Sequence, residues 1–299
     1  MKLRIGHLST FYHTATILMD RAVGPHADAE WRLFGTGPAI VDALEKNGLD
    51  IAYIGLPPAI IGIQRGVPIK CVAGGHVEGT VMTGFNKYKG LPETDSLELI
   101  LNQFKGGKIG VPGKGSIHDL ILQDSLQKYG LRQAIEVVNY PWSDLTLEDL
   151  VKHRIEAAFG TPALAVAARR YADCKILYPP SKLWPDNPSY GILTTKSFLE
   201  AHRDIVIDFL KAHCLATELL LNDPRKAAAL IAGNVGVIDE DFVFETLSVS
   251  PKYCARITEA YTNCTMKLML AMKTLGYIER EIGADEIFDT SLIADIHGC

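Results

Sequence analysis

The residues best suited to hold a small molecule are small, hydroxylated, aromatic or imidazole-bearing, and they gather at the ends of short apolar runs. Ser9-Thr10-Phe11-Tyr12-His13, Gly35-Thr36-Gly37, Gly55-Leu56-Pro57 and Gly75-His76 do so in the first part of the chain. Gly113-Lys114-Gly115-Ser116, Tyr140-Pro141-Trp142 and Gly160-Thr161 do so further on. Glycine lets backbone approach a guest, hydroxyls and amides orient its polar groups, and aromatics cover a ring or an apolar part. Two of these stretches open helices. Free N–H groups at Thr36/Gly37 and at Gly115/Ser116 could converge on one anionic group, helped by the helix dipoles, although tight-turn geometry alone would also account for the glycines.

Other chemistries lack their residues. No stretch has the G-x-x-x-x-G-K-[ST] spacing of a nucleotide-binding loop, and no G-x-S-x-G elbow presents a nucleophilic serine. His13, His76 and His118 fall near strand ends, but no HxH or HxxxH spacing brings metal ligands together, so no metal and no cofactor are expected. His7 lies inside a strand and reads as a core residue. Trp142 and Trp184 stand in loops beside prolines, placed either to stack on a ligand or to cover an edge of the fold. The six cysteines form no CxxC pair and read as buried, reduced thiols.

These residues need a scaffold, and the hydrophobic pattern supplies one. Short apolar runs alternate with amphipathic stretches, as in parallel sheets covered by helices. Strands are expected at Leu3–Leu8, Glu30–Phe34, Asp50–Gly55, Ile69–Ala73 and Thr80–Phe85, the last leaving the first lobe. A second series follows at Lys108–Val111, Glu136–Asn139 and Glu156–Gly160, and Tyr190–Thr194 returns the chain. Helices are expected between them: at Phe11–Asp20, after Gly37-Pro38, and at Pro57–Arg65, Ser116–Tyr129, Leu147–His153 and Pro162–Tyr171. The four prolines from Pro179 to Pro188 exclude an element interior there. From Phe198 the pattern is helical, with Asp223-Pro224 and Asp239 as starts and a long helix over Tyr253–Leu275. The stretch Leu44, Lys46, Leu49, Asp50, Ala52, Tyr53 echoes Leu150, Lys152, Ile155, Glu156, Ala158, Phe159 at constant offset, which suggests a duplicated half. In such sheets the ligand crevice lies at the carboxyl ends of the strands, where the residues above fall.

Composition agrees with a globular chain: 299 residues, 47% apolar, 22% charged, net charge −5. That length suits two lobes, and the acidic balance argues against nucleic-acid binding. No apolar run approaches the ~20 residues of a membrane span, so no membrane insertion is expected. Met1-Lys2-Leu3-Arg4-Ile5 runs directly into a strand without a secretory leader. As written the chain reads as cytoplasmic, or as extracytoplasmic if a leader has been removed.

Several stretches in order resemble a known family. Phe34-Gly35-Thr36-Gly37-Pro38-Ala39, Leu49-Asp50-Ile51-Ala52-Tyr53-Ile54-Gly55, Pro57-Pro58-Ala59 and Gly66-Val67-Pro68-Ile69-Lys70 are similar to solute-binding proteins for nitrate, sulfonate, taurine and thiamine precursors. Lys108-Ile109-Gly110-Val111-Pro112-Gly113-Lys114-Gly115-Ser116, Glu156–Pro162, Ser197-Phe198-Leu199 and Asn222-Asp223-Pro224 fit the same pattern. The resemblance implies the two-lobed, type 2 periplasmic-binding-protein α/β fold, each lobe a mixed, mainly parallel sheet flanked by helices. One lobe would comprise residues 1–87 with 190–299 and the other 88–189, with crossovers near 84–91 and 186–191. It implies a monomer that traps a small anionic or heteroaromatic molecule between the lobes and docks on an ABC permease. The ligand shell would draw on Ser9, Thr10, His13, Thr36, Gly37, Gly55, Leu56, His76, Ser116, Trp142 and Thr161. The crevice segments hold no arginine, so a charged ligand would depend on helix amides and on Lys114. Enzymes of thiamine-pyrimidine and menaquinone-type cofactor synthesis share this fold and form the alternative. The cysteine-rich run of the pyrimidine synthases is missing, Cys71 standing alone.

Overall fold

A computed structural model describes residues 2–20, 22 and 24–296. The chain opens as β1 (Leu3–Leu8), α1 (Ala15–Leu18), β2 (Ala29–Phe34), α2 (Gly37–Glu45), β3 (Ile51–Ile54), α3 (Leu56–Gln64) and β4 (Ile69–Val77). It then crosses into β5 (Val81–Phe85), α4 (Leu97–Asn102), β6 (Lys108–Pro112), α5 (Ile117–Lys128), β7 (Glu136–Tyr140), α6 (Ser143–Val151), β8 (Ala157–Gly160), α7 (Pro162–Tyr171) and β9 (Cys174–Tyr178). A short α8 (Pro180–Leu183) leads into β10 (Pro188–Thr195). Helices α9 (Lys196–Ala201), α10 (Arg203–Asn222), α11 (Pro224–Val235) and α12 (Glu240–Val249), the two-residue β11 (Tyr253–Cys254), α13 (Glu259–Thr274) and α14 (Ala284–Ile287) complete it.

Two sheets result. The first has the order β11-β4-β10-β3-β1-β2 and the second β7-β6-β8-β5-β9. In the first, β1 is parallel to β2 and β3, while β10 returns antiparallel between β3 and β4. In the second, β6 is parallel to β7 and β8, and β5 runs antiparallel between β8 and β9. This is the two-lobe binding-protein architecture, each sheet mixed and flanked by helices.

The helices follow local rules. Ile40, Val41 and Leu44 of α2 are buried at helical spacing, and Pro38 sits in its first turn, where a missing N–H is harmless. Asp223 and Asp239 cap α11 and α12 by accepting the amides of Lys226 and Phe242. The internal echo has a structural counterpart: α2, β3 and the start of α3 reappear as α6, β8 and the start of α7 at the offset joining Gly37 to Ser143. Asn47 and His153, equivalent at that offset, both turn the chain with a positive φ.

Several expectations need correction. Only Ala15–Leu18 of Phe11–Asp20 is helical. Tyr253–Cys254 pairs with β4 at a sheet edge, so the long C-terminal helix begins only at Glu259, where Thr258 caps it. The proline-rich stretch holds the single-turn α8, because Pro180 occupies a first helical position that needs no N–H. Strand β9 is an element that the hydrophobic pattern does not announce, and β5 is hydrogen-bonded into the second sheet between β8 and β9. Cys71, Cys174, Cys254 and Cys264 are free, whereas Cys214 is disulfide-bonded, contrary to the reduced reading. Cys299 lies outside the described residues.

One apolar core draws on both sheets and on α3, α5 and α13; a second lies on the other face of the first sheet, beneath α10 and α11. The start of β1 is pinned by Asp50, which is buried and accepts from the Arg4 amide at 2.8 Å, Nε at 3.0 Å and Nη2 at 2.6 Å. Asp50→Ala takes the partner from a partly buried backbone N–H, while the partly exposed guanidinium can recover water. Chemical denaturation should therefore register a loss of about 2 kcal/mol.

Candidate functional site

A cavity of about 50 Å³ lies where the two sheets meet, at the carboxyl ends of the parallel strands of both. Its wall takes Leu8 and Ser9 from the end of β1, Gly35 and Thr36 from that of β2, and Gly55 from that of β3. Pro112 ends β6, Ser143 follows β7, Thr161 follows β8, and Ser189 comes from the return strand β10. The space accommodates on the order of four water-sized groups. Of the residues expected in the ligand shell, Ser9, Thr10, His13, Thr36, Gly37, Gly55, Ser116 and Thr161 line it; Leu56, His76 and Trp142 do not.

Five helices of nine or more residues begin at this wall: α2, α3, α5, α6 and α7. Each contributes the positive end of its dipole and those first-turn amides that proline does not remove: Pro57 and Pro58 leave α3 few, while Pro38 in α2 and Pro162 in α7 each remove one. Some of these amides are already used. Ser116 Oγ accepts from the Asp119 amide and Thr161 Oγ1 from that of Leu164. The Gly115 amide donates to Asp119 Oδ2 at 2.8 Å and that of Ser116 to the Gly113 carbonyl at 3.0 Å. The pair Gly115/Ser116 therefore cannot offer the free N–H groups expected of it. Gly113 and Gly115 serve the turn, both having positive φ. The first-turn amides beyond them belong to Ile117 and His118, and both residues line the cavity.

Among the described residues, no Asp, Glu, Lys or Arg lines the cavity. Lys114, expected as a possible charge partner, points to solvent because its neighbours Gly113 and Gly115 carry the turn. The two imidazoles in the wall are neutral. Burial pushes the His118 pKa down to about 4, and its Nδ1 pairs with Thr80 Oγ1 at 2.9 Å. His13 is held well below the ordinary range by burial first, then by the nearby imidazoles of His76, His7 and His213. Its ring lies 4.0 Å from that of Tyr190. His13 Nδ1 and Thr10 Oγ1 are buried without a hydrogen-bond partner among the described residues, in residues 1% and 7% exposed. Such groups are costly to leave unpaired, and both belong to the cavity wall.

The three exceptions have physical reasons. Strand β4 continues past the expected end at Ala73 to Val77, so His76 is covered by β10 and β11 rather than opening on the crevice. Leu56 is the first residue of α3, with its side chain sealed in the shared core. Trp142 sits outside the cavity against Gly35, 38% exposed; a Cβ on Gly35 would stand 2.8 Å from its ring and 2.7 Å from the Pro141 carbonyl oxygen. Trp184 packs at the edge of the shared core, and His7 is buried in β1. Tyr12, from the stretch Ser9–His13, lines the cavity as well, and so do Ser143 and Ser189, which no candidate stretch contains. The duplication offset points to Ser143 as the equivalent of Gly37, whereas Ser189 carries no local signal.

The NMT1-like family model matches residues 2–233. No curated protein sequence matches the chain. Among solved structures, the ligand-binding component of an ABC-type import system from Staphylococcus aureus, with zinc bound, is similar at 17% identity and TM-score 0.83, covering 100% of both chains. The alkanesulfonate-binding protein of Xanthomonas axonopodis pv. citri, bound to MOPS, gives 15% identity and TM-score 0.80 over 96% of this chain and 98% of the other. The periplasmic nitrate-binding protein of Synechocystis gives 12% identity and TM-score 0.80 over 98% and 87%. With residues 2–233, most of its length, matched, the chain belongs to the NMT1-like family.

Proposed function

We propose that this protein binds a small polar molecule in the cleft between two lobes and delivers it, chemically unchanged, to an ABC permease. The observation that carries this reading is the pair of unpartnered buried groups, Thr10 Oγ1 and His13 Nδ1, in the wall of a cavity with no charged side chain. A polar guest there would lie against the residues that carry both groups and meet five helix N-termini, which favours a ligand with an electron-rich acceptor group. The lobes in this reading centre on the two sheets and hinge at the connections β4–β5 and β9–β10, with β5 moved to the second lobe. The protein acts as a monomer. The zinc, MOPS and nitrate named for the similar structures provide candidate chemistries only, and the described residues hold no His/Cys/Asp/Glu cluster suited to a metal ion.

An enzyme reading would look first at Ser189, whose Oγ lies 3.0 Å from His76 Nδ1. That imidazole is fully buried, its pKa pushed down to about 4, and a carbonyl rather than a carboxylate stands behind it. It is a poor proton acceptor near neutral pH, which supports binding over turnover.

A thermal-shift screen of nitrate, small sulfonates, carboxylates and pyrimidines tests the reading. A ligand at a hundred times its Kd should stabilise the protein by about 2.7 kcal/mol, roughly 5 °C for a chain of this size. His13→Ala should abolish the shift. A full shift in that variant, or none with any of these classes, would count against this cleft.

A further inference from the structure

We infer that His76 fixes the Ser189 hydroxyl as a hydrogen-bond acceptor in the cavity wall, so that the guest must bring an N–H or O–H donor as well as its acceptor group. The inference rests on the reading of the cavity as the ligand site and narrows its chemistry. Nitrate and unsubstituted alkanesulfonates, which are acceptors only, would be poor guests.

The argument is one of proton bookkeeping. His76 Nε2 lies 2.6 Å from the Ser250 carbonyl oxygen, which can only accept, so Nε2 carries a proton. A ring sealed from water and lacking a carboxylate stays neutral and has one proton, so Nδ1 is bare. The contact of 3.0 Å to Ser189 Oγ is then made by the serine O–H donating to His76 Nδ1. Ser189 lines the cavity, and all that its hydroxyl has left to offer a guest there is its lone pairs, made better acceptors by the bond it donates.

The surroundings hold this arrangement in place. The His76 ring is flanked by Tyr12 at 4.7 Å and Tyr253 at 4.9 Å between centroids, and Tyr12 itself lines the cavity. Gly79 makes room for the serine: a Cβ there would stand 2.2 Å from Ser189 Oγ and 2.7 Å from its Cβ. The wall thus pairs one fixed acceptor with the N-termini of α2, α5, α6 and α7, which are donors. A site built to receive a donor rejects the analogue that lacks one, because its own buried acceptor is left unpaired.

Two measurements test this. Nitrogen-15 NMR of the histidine side chains at pH 7 should show His76 as the Nε2-protonated tautomer; an Nδ1-protonated or doubly protonated ring would overturn the assignment. Calorimetric titration should show isethionate binding at least tenfold tighter than ethanesulfonate, or glycolate than acetate, with the preference collapsing in Ser189→Ala. Equal or tighter binding of the unhydroxylated member of a pair that binds would also overturn it. If neither pair binds, that result bears against the cleft as a site for small sulfonates and carboxylates, and the tautomer measurement decides the inference alone.

Discussion

Replacing Gly35 with leucine should leave the protein folded and weaken ligand binding about a hundredfold. Gly35 follows β2 in the first sheet, and its backbone does not need glycine, since its φ is not positive. What requires glycine is the approach of the second sheet's loop. A Cβ at this position would lie 2.7 Å from the Pro141 carbonyl oxygen and 2.8 Å and 2.9 Å from Trp142 ring atoms. The three atoms nearest such a Cβ all belong to that loop, so a larger side chain meets the other half first. The substitution therefore penalises the closed arrangement selectively, by about 3 kcal/mol on the scale of overpacked contacts, which is about a hundredfold in affinity. Gly35→Ala should have a smaller effect of the same sign. Thermal denaturation without ligand checks that the fold is kept, and calorimetry reads the affinity.

Acid should destabilise the protein well above the range in which carboxylates titrate. His13, His76, His118 and His213 are buried and held neutral, with pKa values of about 4 for the last three because burial disfavours their charged forms. His76 and His213 are hydrogen-bonded at both ring nitrogens as neutral rings. His213 Nε2 lies 3.0 Å from the Gly74 carbonyl and its Nδ1 2.7 Å from Thr14 Oγ1. In the unfolded chain these imidazoles take up protons near pH 6.5. Their pKa is lower in the fold than in the unfolded chain, so stability is intact above about pH 6.5 and is lost progressively as pH falls toward 4. At pH 5 each of the three contributes a loss of about 2 kcal/mol, together a large part of an ordinary folding free energy. Exposed carboxylates with lowered pKa, such as Glu286 beside Arg280, act with the same sign only at still lower pH. Urea denaturation at pH 7 and pH 5 measures the effect, and unchanged stability would mean that these imidazoles are not sealed.

Much of this was legible because βα units write local signals into the sequence. Gly37-Pro38, Ser116 and Thr161-Pro162 mark helix starts after strands, and the rule that ligands sit at strand carboxyl ends brings those starts to one cleft. The signal fails where partners come from distant sequence. His76 looks like a strand-end residue until β10 and β11 cover it from more than a hundred positions away. Ser189 enters the cavity because the return strand passes Gly79, a pairing that no local pattern announces. The Gly115 amide looked available, yet the carboxylate of Asp119, itself bonded to Asn139 and Tyr277, takes it. Strand β9 and the edge strand β11 are short and irregular in pattern, and are specified by pairing with β5 and β4.

The central claim is that a guest is held between the halves and leaves as it came. Equilibrium dialysis of the ligand selected by the thermal-shift screen, followed by mass spectrometry of both compartments, addresses it most directly. One molecule per chain should be retained by the wild type and recovered at unaltered mass, with little retained by Gly35→Leu. A chemically changed product, or equal retention by the variant, would contradict the account.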